Sequence, residues 1–279
     1  TNAEWEFKSL EKIDMLSINA SPKAAAALAE ATRTEDVCMT KDGTRLAVAG
    51  FSENKIFIFS IQITRHAESV DIQISDYLAI SSSSFQDPHG LTFLGRDHLV
   101  VCNREGDVCI FRIPSMEASI SEVTLDPIER ISGQGFLRAK VKNAGSLVAY
   151  ELAENIYRII VCSDQWHFVT AHRITHGETP GIVHEGVLLQ NGLKIPDGAA
   201  ISPDHKWISI TNHVHGEVLL FKNTDKLNKQ SEPDARLTGL VCPHGVDFDP
   251  SGNIWVVDAS SPYLTGYLQP ERGWSGMVS

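Results

Sequence analysis

Four metal-capable side chains recur at one place in a repeated pattern. Segments beginning at Glu35 (EDVCMTKDGTRLAVA), His89 (HGLTFLGRDHLVVCN), Asp197 (DGAAISPDHKWISIT) and His244 (HGVDFDPSGNIWVVD) align over fifteen residues without a gap. Their first residues therefore form one column. If the fold carries that column to a common point, Glu35, His89, Asp197 and His244 make a donor set for a divalent ion. Imidazole nitrogens favour zinc and carboxylate oxygens favour calcium. Such an ion would polarise a carbonyl or hydroxyl oxygen and lower the pKa of a bound water. The end of the second apolar run in each copy supplies more candidates. Asn103 and Asn212 are ligand-binding candidates there, and Asp258 and Glu151 are candidate catalytic general bases. Arg104, next after Asn103, can pair with an anionic substrate, or structurally with Glu105 or Asp107. His213, in the run Asn212-His213-x-His215, is a further ligand-binding candidate. A simpler reading of the same column is that short polar residues brace the loops leading into each unit.

The positioning elements are strands. Each copy reads as a short apolar strand, a tight polar turn with Asp-Gly, Ser-Gly or Asp-His, and a second apolar strand. Third strands follow at Lys55–Ile61, Val108–Ile113, Glu217–Phe221 and Thr265–Leu268. A weaker fifth copy spans Leu137–Glu151 (LRAKVKNAGSLVAYE), with Asn155–Cys162 after it. Start-to-start spacings are 54, 48, 60 and 47 residues, the interval of four-stranded propeller blades. The reading is therefore an all-β β-propeller of antiparallel four-stranded blades around a central channel. Five blades are recognisable, and the total is five or six.

The start of each innermost strand should face the channel, which makes Leu137 the fifth member of the column. Val70–Ile80 and Phe168–Ile174 read as outer strands. One domain covers 1–279, with the repeats over 35–270. The first 34 residues are expected to supply a strand, Trp5–Ile18, that closes the ring on the last blade. They also hold a short helix with Ser21 as N-cap, Pro22 at its first position and Ala24–Ala31 after it. Trp166–Leu193, carrying His167, His172, His176 and His184, reads as a loop-rich insertion that could lid one mouth or simply carry surface histidines. Trp207 and Trp255 fall in adjacent columns of the second strands and read as packing residues. A doubly wound α/β sheet would need amphipathic helices between strands, and the linkers do not encode them.

With those residues in view, the chain resembles the NHL-type propellers. Asp87–Ile113 (DPHGLTFLGRDHLVVCNREGDVCIFRI) and Cys242–Asp258 (CPHGVDFDPSGNIWVVD) look like blades of that superfamily and of peptidylglycine amidating lyases. Ile195–Asn212 (IPDGAAISPDHKWISITN) is similar to gluconolactonase-like propellers. The resemblance covers about residues 33–270. The lyase likeness implies a catalytic zinc on blade-start histidines. Only His89 and His244 match, with Asp197 where a third histidine is wanted. The lactonase likeness implies an ion held by oxygens instead. Glu35, Asp197, Asn103, Glu151, Asn212 and Asp258 are then the candidates.

Composition narrows the partners. With 24 basic and 35 acidic residues the formal net charge is −11, and no basic stripe exists, which argues against nucleic acid. No apolar run reaches 18 residues, so no membrane-spanning helix is expected. Five cysteines, with no C-x-x-C pair, read as small core residues in a reducing and hence cytoplasmic compartment; a periplasmic or secreted location stays open. Searches for nucleophile-elbow, zincin, P-loop and dinucleotide patterns are negative. The expected function is ligand binding at the channel mouth by a divalent-metal-dependent hydrolase or lyase. Its substrates would be small lactones, hydroxylated acids or amides. The alternative is a non-catalytic scaffold whose rim loops bind a protein or glycan.

Overall fold

The structure, a computed structural model, describes residues 15–116, 120–132, 140–175, 181–271 and 273–276. The chain opens with β1 (Met15–Ala20) and α1 (Pro22–Glu30), and then builds five sheets around an axis. Blade 1 is β2 (Thr34–Met39), β3 (Arg45–Gly50), β4 (Lys55–Arg65) and β5 (Ser69–Ser81). Blade 2 begins with β6 (Pro88–Leu94), β7 (His98–Asn103) and β8 (Val108–Arg112). The short β9 (Glu122–Thr124) reaches back to lie parallel on β5, and β10 (Glu129–Ile131) then completes blade 2. Blade 3 is β11 (Ala144–Ala153), β12 (Ile156–Ser163), β13 (Phe168–Thr175) and β14 (Gly181–Leu189). Blade 4 is β15 (Pro196–Ile201), β16 (Trp207–Asn212), β17 (Glu217–Lys222) and β18 (Ala235–Leu237). Blade 5 is β19 (Pro243–Phe248), β20 (Ile254–Asp258) and β21 (Leu264–Tyr267). The architecture is a five-bladed propeller.

The turn between first and second strands is built alike in different blades. The Asp42 and Asp204 carboxylates each accept from a hydroxyl two residues earlier, Thr40 and Ser202, at 2.7 Å. The next residue, Gly43 or His205, takes a left-handed φ of 69° or 57°. This is side-chain-locked turn chemistry that fixes the hairpin register. Apolar residues from facing sheets then form dry layers between blades. Ile58, Leu99 and Phe111 are buried between blades 1 and 2, and Val100, Val161 and Ile174 between 2 and 3. Ile160, Ile210 and Phe221 fill the seam of blades 3 and 4, and Leu220, Val256 and Trp274 that of 4 and 5.

Two expectations change. The helix is present, with the Ser21 hydroxyl accepting from the Ala24 N–H at 3.1 Å. The strand before it, however, pairs in parallel with β5 on the outer edge of blade 1, not with the last blade; Trp5–Asp14 lie outside the described residues. Phe168–Thr175 is the third strand of blade 3 and Gly181–Leu189 the outer one, so Trp166–Leu193 is not a lid. There His172 and His184 sit side by side across the ladder, while His176 lies outside the described residues. All five cysteines are free thiols. Among the described residues no helix is long and apolar enough to cross a membrane.

Candidate functional site

One register position is shared by all five innermost hairpins. Thr34 pairs with Gly50, Pro88 with Asn103, Ala144 with Ser163, Pro196 with Asn212 and Pro243 with Asp258. In every blade the ladder slips immediately afterwards, and a bulge of this kind re-aims the side chain within it. The residues so placed are Glu35, His89, Gly145, Asp197 and His244. Those following the partner strand make a second ring: Phe51, Arg104, Asp164, His213 and Ala259.

The predicted column is therefore real in four blades and corrected in the third. Gly145 takes the place assigned to Leu137, which lies outside the described residues. Small residues let the inner strands close in. A Cβ on Gly90 would stand 2.7 Å from the Gly145 carbonyl oxygen, and one on Gly198 would run into the His244 carbonyl. Gly198→Ala is expected to cost about 1–3 kcal/mol through this overpacking, measurable by urea denaturation.

The two rings interlock. His89, almost fully buried, places Nδ1 2.6 Å from the Gly145 carbonyl oxygen. A carbonyl only accepts, so Nδ1 carries the proton and Nε2 keeps its lone pair toward the channel. Glu35 Oε2 stands 3.3 Å from that nitrogen, and Arg104 Nη1 donates to it at 3.2 Å. Burial, aided by the Arg104 charge, pulls the His89 pKa down, so the ring is neutral. Arg104 also donates through Nη2 to Asp164 Oδ2 at 2.5 Å. Burial and the neighbouring Asp197 charge push the Asp164 carboxyl well up, against the pull of Arg104. Asp197 Oδ2 lies 3.4 Å from His244 Nε2 and 3.5 Å from His213 Nδ1. Glu35 Oε1 is held by Arg33.

Glu35, His89 and His244 each offer a ligand atom, all within 4.8 Å of one another. Zinc at about 2.1 Å from each ligand wants them roughly 3.4 Å apart in a tetrahedron, so the side chains would close by about an ångström. His89 also has the hydrogen bond that fixes a ligand imidazole from behind, and Asp197 stands ready to do the same for His244. Three of the four side chains of the predicted column thus converge, and Asp197 stands beside His244.

Other predicted residues do not join them. Asn103 accepts from the Gln86 N–H and donates to the Asp107 carbonyl. Asn212 accepts from Lys194 N–H and donates to Gly192 O and Glu217 Oε1. Both brace loops. Asp258 accepts from the N–H groups of Val241, Cys242 and Ser260. Burial works against its ionisation, but those donors outweigh it and hold the carboxyl below its usual range. Its oxygens are occupied, which removes the general-base role. Glu151 is exposed at the end of β11, in a cavity of about 1060 Å3 at the opposite mouth. The reading missed Asp164, although Cys162-Ser163-Asp164 repeats the pattern of Cys102-Asn103-Arg104.

No protein-family profile and no curated protein sequence matches the chain. Solved structures do. A luciferin-regenerating enzyme superposes with a TM-score of 0.54 at 13% identity, over 88% of this chain and 74% of that one. A candidate 6-phosphogluconolactonase from Bacteroides uniformis gives 0.57 at 11% identity, covering 85% and 67%. The calcium-binding protein regucalcin from Agrobacterium tumefaciens gives 0.53 at 9% identity, covering 90% and 76%. At these identities the likeness establishes the propeller fold and leaves the chemistry to the site.

Proposed function

We propose that this propeller is a divalent-metal-dependent hydrolase or lyase acting on small molecules at the Glu35 mouth of its channel. The observation that carries the reading is the meeting of Glu35, His89 and His244, with the His89 lone pair turned to the axis by Gly145. Two nitrogens in the set favour zinc over calcium, which takes oxygens. The lactonase-like, regucalcin and luciferin-regenerating neighbours are consistent with an enzymatic propeller. The finer NHL-type and amidating-lyase likeness, with its blade-start histidines, belongs to the same proposal.

A bound zinc would supply Lewis acidity and a water acidic near neutral pH. The chain's own groups divide the remaining work. Arg104, locked by Asp164, offers a cation to negative charge developing on substrate oxygen. His213, whose Nδ1 lies 3.2 Å from the Pro243 carbonyl oxygen and 3.5 Å from Asp197 Oδ2, would carry a proton in this reading. Purified protein dialysed against zinc should retain one equivalent and lose lactone or ester hydrolysis on chelation. Metal-free protein with chelator-insensitive hydrolysis would overturn the reading.

Arg104 and the metal address the same lone pair of His89. Arg104→Met should therefore tighten zinc binding about tenfold, the worth of one charge-assisted hydrogen bond, while lowering turnover. Isothermal titration with zinc reads the first effect.

The scaffold reading has one observation in its favour. The large cavity at the opposite mouth, with Phe93, Tyr150 and Tyr157 in its wall, is polar-rimmed and does not include His89 or His244. It fits a protein or glycan ligand that needs no metal.

A further inference from the structure

The far mouth of the channel is shaped by one overlong hairpin. β11 runs ten residues where the first strands of the other blades run six or seven, so the turn of blade 3 stands roughly 10 Å beyond its neighbours. It walls the cavity of about 1060 Å3, and the facing wall includes Phe93 and Arg96 from blade 2. On the hairpin, Glu151 and Tyr157 are paired directly across the ladder, which sets their side chains next to each other on one face. That face looks toward blade 2, where a Cβ on Gly95 would stand 3.8 Å from the Tyr157 hydroxyl. Charge at this mouth is unbalanced. Arg96 Nε is tied to Asp42 Oδ2 at 2.9 Å, so those two cancel. Lys41 is then outnumbered by Glu151 and Glu154, both exposed at the tip of the hairpin. The sign of the field shows at Tyr157: burial, with Glu151 and Asp97 adding to it, pushes the phenol pKa up.

We propose that this far-mouth cavity binds a small organic cation, whose substituted ammonium group lies against Tyr157 and Phe93 with Glu151 and Glu154 as its counter-charges. An aromatic ring attracts a cation to its negative face, and the attraction grows where water is displaced. Carboxylates beside the ring add to it and turn anions away. The rest of the wall is apolar, with Ile201 and Ala149 among its residues, so it accepts the hydrocarbon substituents of the ammonium. A cavity of this size falls at the upper end of small-molecule sites, which leaves room for a ligand larger than the cationic group alone. The site goes beyond both readings above, since it needs neither an ion at Glu35, His89 and His244 nor a macromolecular partner. A neutral sugar, stacked on the same rings, is the rival occupant.

Isothermal titration of the full chain with choline, run in the presence of chelator, tests the site apart from any metal. The control ligand is the neutral carbon isostere of choline, in which a tert-butyl group replaces trimethylammonium. Choline is expected to bind at least tenfold more tightly than the isostere, as a partly desolvated cation–π contact with nearby counter-charges would give. The double variant Glu151→Gln, Glu154→Gln alters only exposed groups and should weaken choline binding about tenfold while leaving the isostere unchanged. Tyr157→Phe keeps the ring and should keep the affinity, whereas Tyr157→Leu should lose it. If the leucine variant does not fold, the glutamine variant decides alone. No binding of choline, equal affinity for choline and its isostere, or full choline affinity in the glutamine variant overturns the proposal. Binding of cellobiose without binding of choline overturns it in favour of the sugar.

Discussion

Between pH 7 and pH 4 the folded state is expected to lose about 3 kcal/mol through His172 alone. This imidazole lies inside blade 3, fully buried, with Nε2 2.9 Å from the Thr170 hydroxyl and Nδ1 3.2 Å from His184 Nδ1. Burial, with the neighbouring His184 adding to it, pulls its pKa down to about 3 from an ordinary 6.5. The unfolded chain therefore takes up a proton near pH 6.5 that the native state refuses until about pH 3. The stabilising contribution is complete above pH 6.5 and falls away as the pH drops through that window.

His172→Leu removes the titration. At pH 7 the variant should be about 1 kcal/mol less stable, because the Thr170 hydroxyl loses its partner. At pH 4 it should be the more stable of the two. Urea denaturation of both proteins at each pH measures the crossing. A stability difference that stays constant from pH 7 to pH 4 would show that the imidazole is protonated in place.

The places where the sequence speaks clearly, and where it does not, follow from the same physics. Four blades announce themselves because their first hairpins share a polar turn at fixed distance from the channel residue. That shared spacing is enough to put Glu35, His89, Asp197 and His244 in one ring. Blade 3 hides itself. Its inner strand β11 runs ten residues where those of the other blades run six or seven, so Ser146–Glu151 passes for a second strand. The slip of one strand moves Glu151 from the far mouth into the site, and it leaves Asp164 unread.

Partners distant in sequence were beyond reach for a different reason. Arg104 has acidic neighbours at Glu105 and Asp107, yet its counter-ion is Asp164, sixty residues on. Only the geometry of adjacent blades brings the two together. The same holds for β1, expected on the last blade and found on the outer edge of blade 1.

With zinc held at a hundred times its dissociation constant, the protein should gain about 2.7 kcal/mol of stability, a rise of roughly 5–10 °C in Tm for a chain of this size. His89→Ala should remove nearly all of that gain, and so should His244→Ala, since two remaining protein ligands hold zinc poorly. The double variant should then lose no more of the zinc-dependent part than either single one, because the two residues act through one ion. Chelator changes the expected pattern. Without metal, His89→Ala forfeits its bond to the Gly145 carbonyl and His244→Ala its contact with Asp197. Each costs about 1 kcal/mol, the usual worth of a hydrogen bond, and the costs should come close to adding. The decisive comparison is thus one double-mutant cycle run twice, with zinc and with chelator. Identical, additive cycles under the two conditions would mean that Glu35, His89 and His244 brace the blade-entry loops and hold no ion.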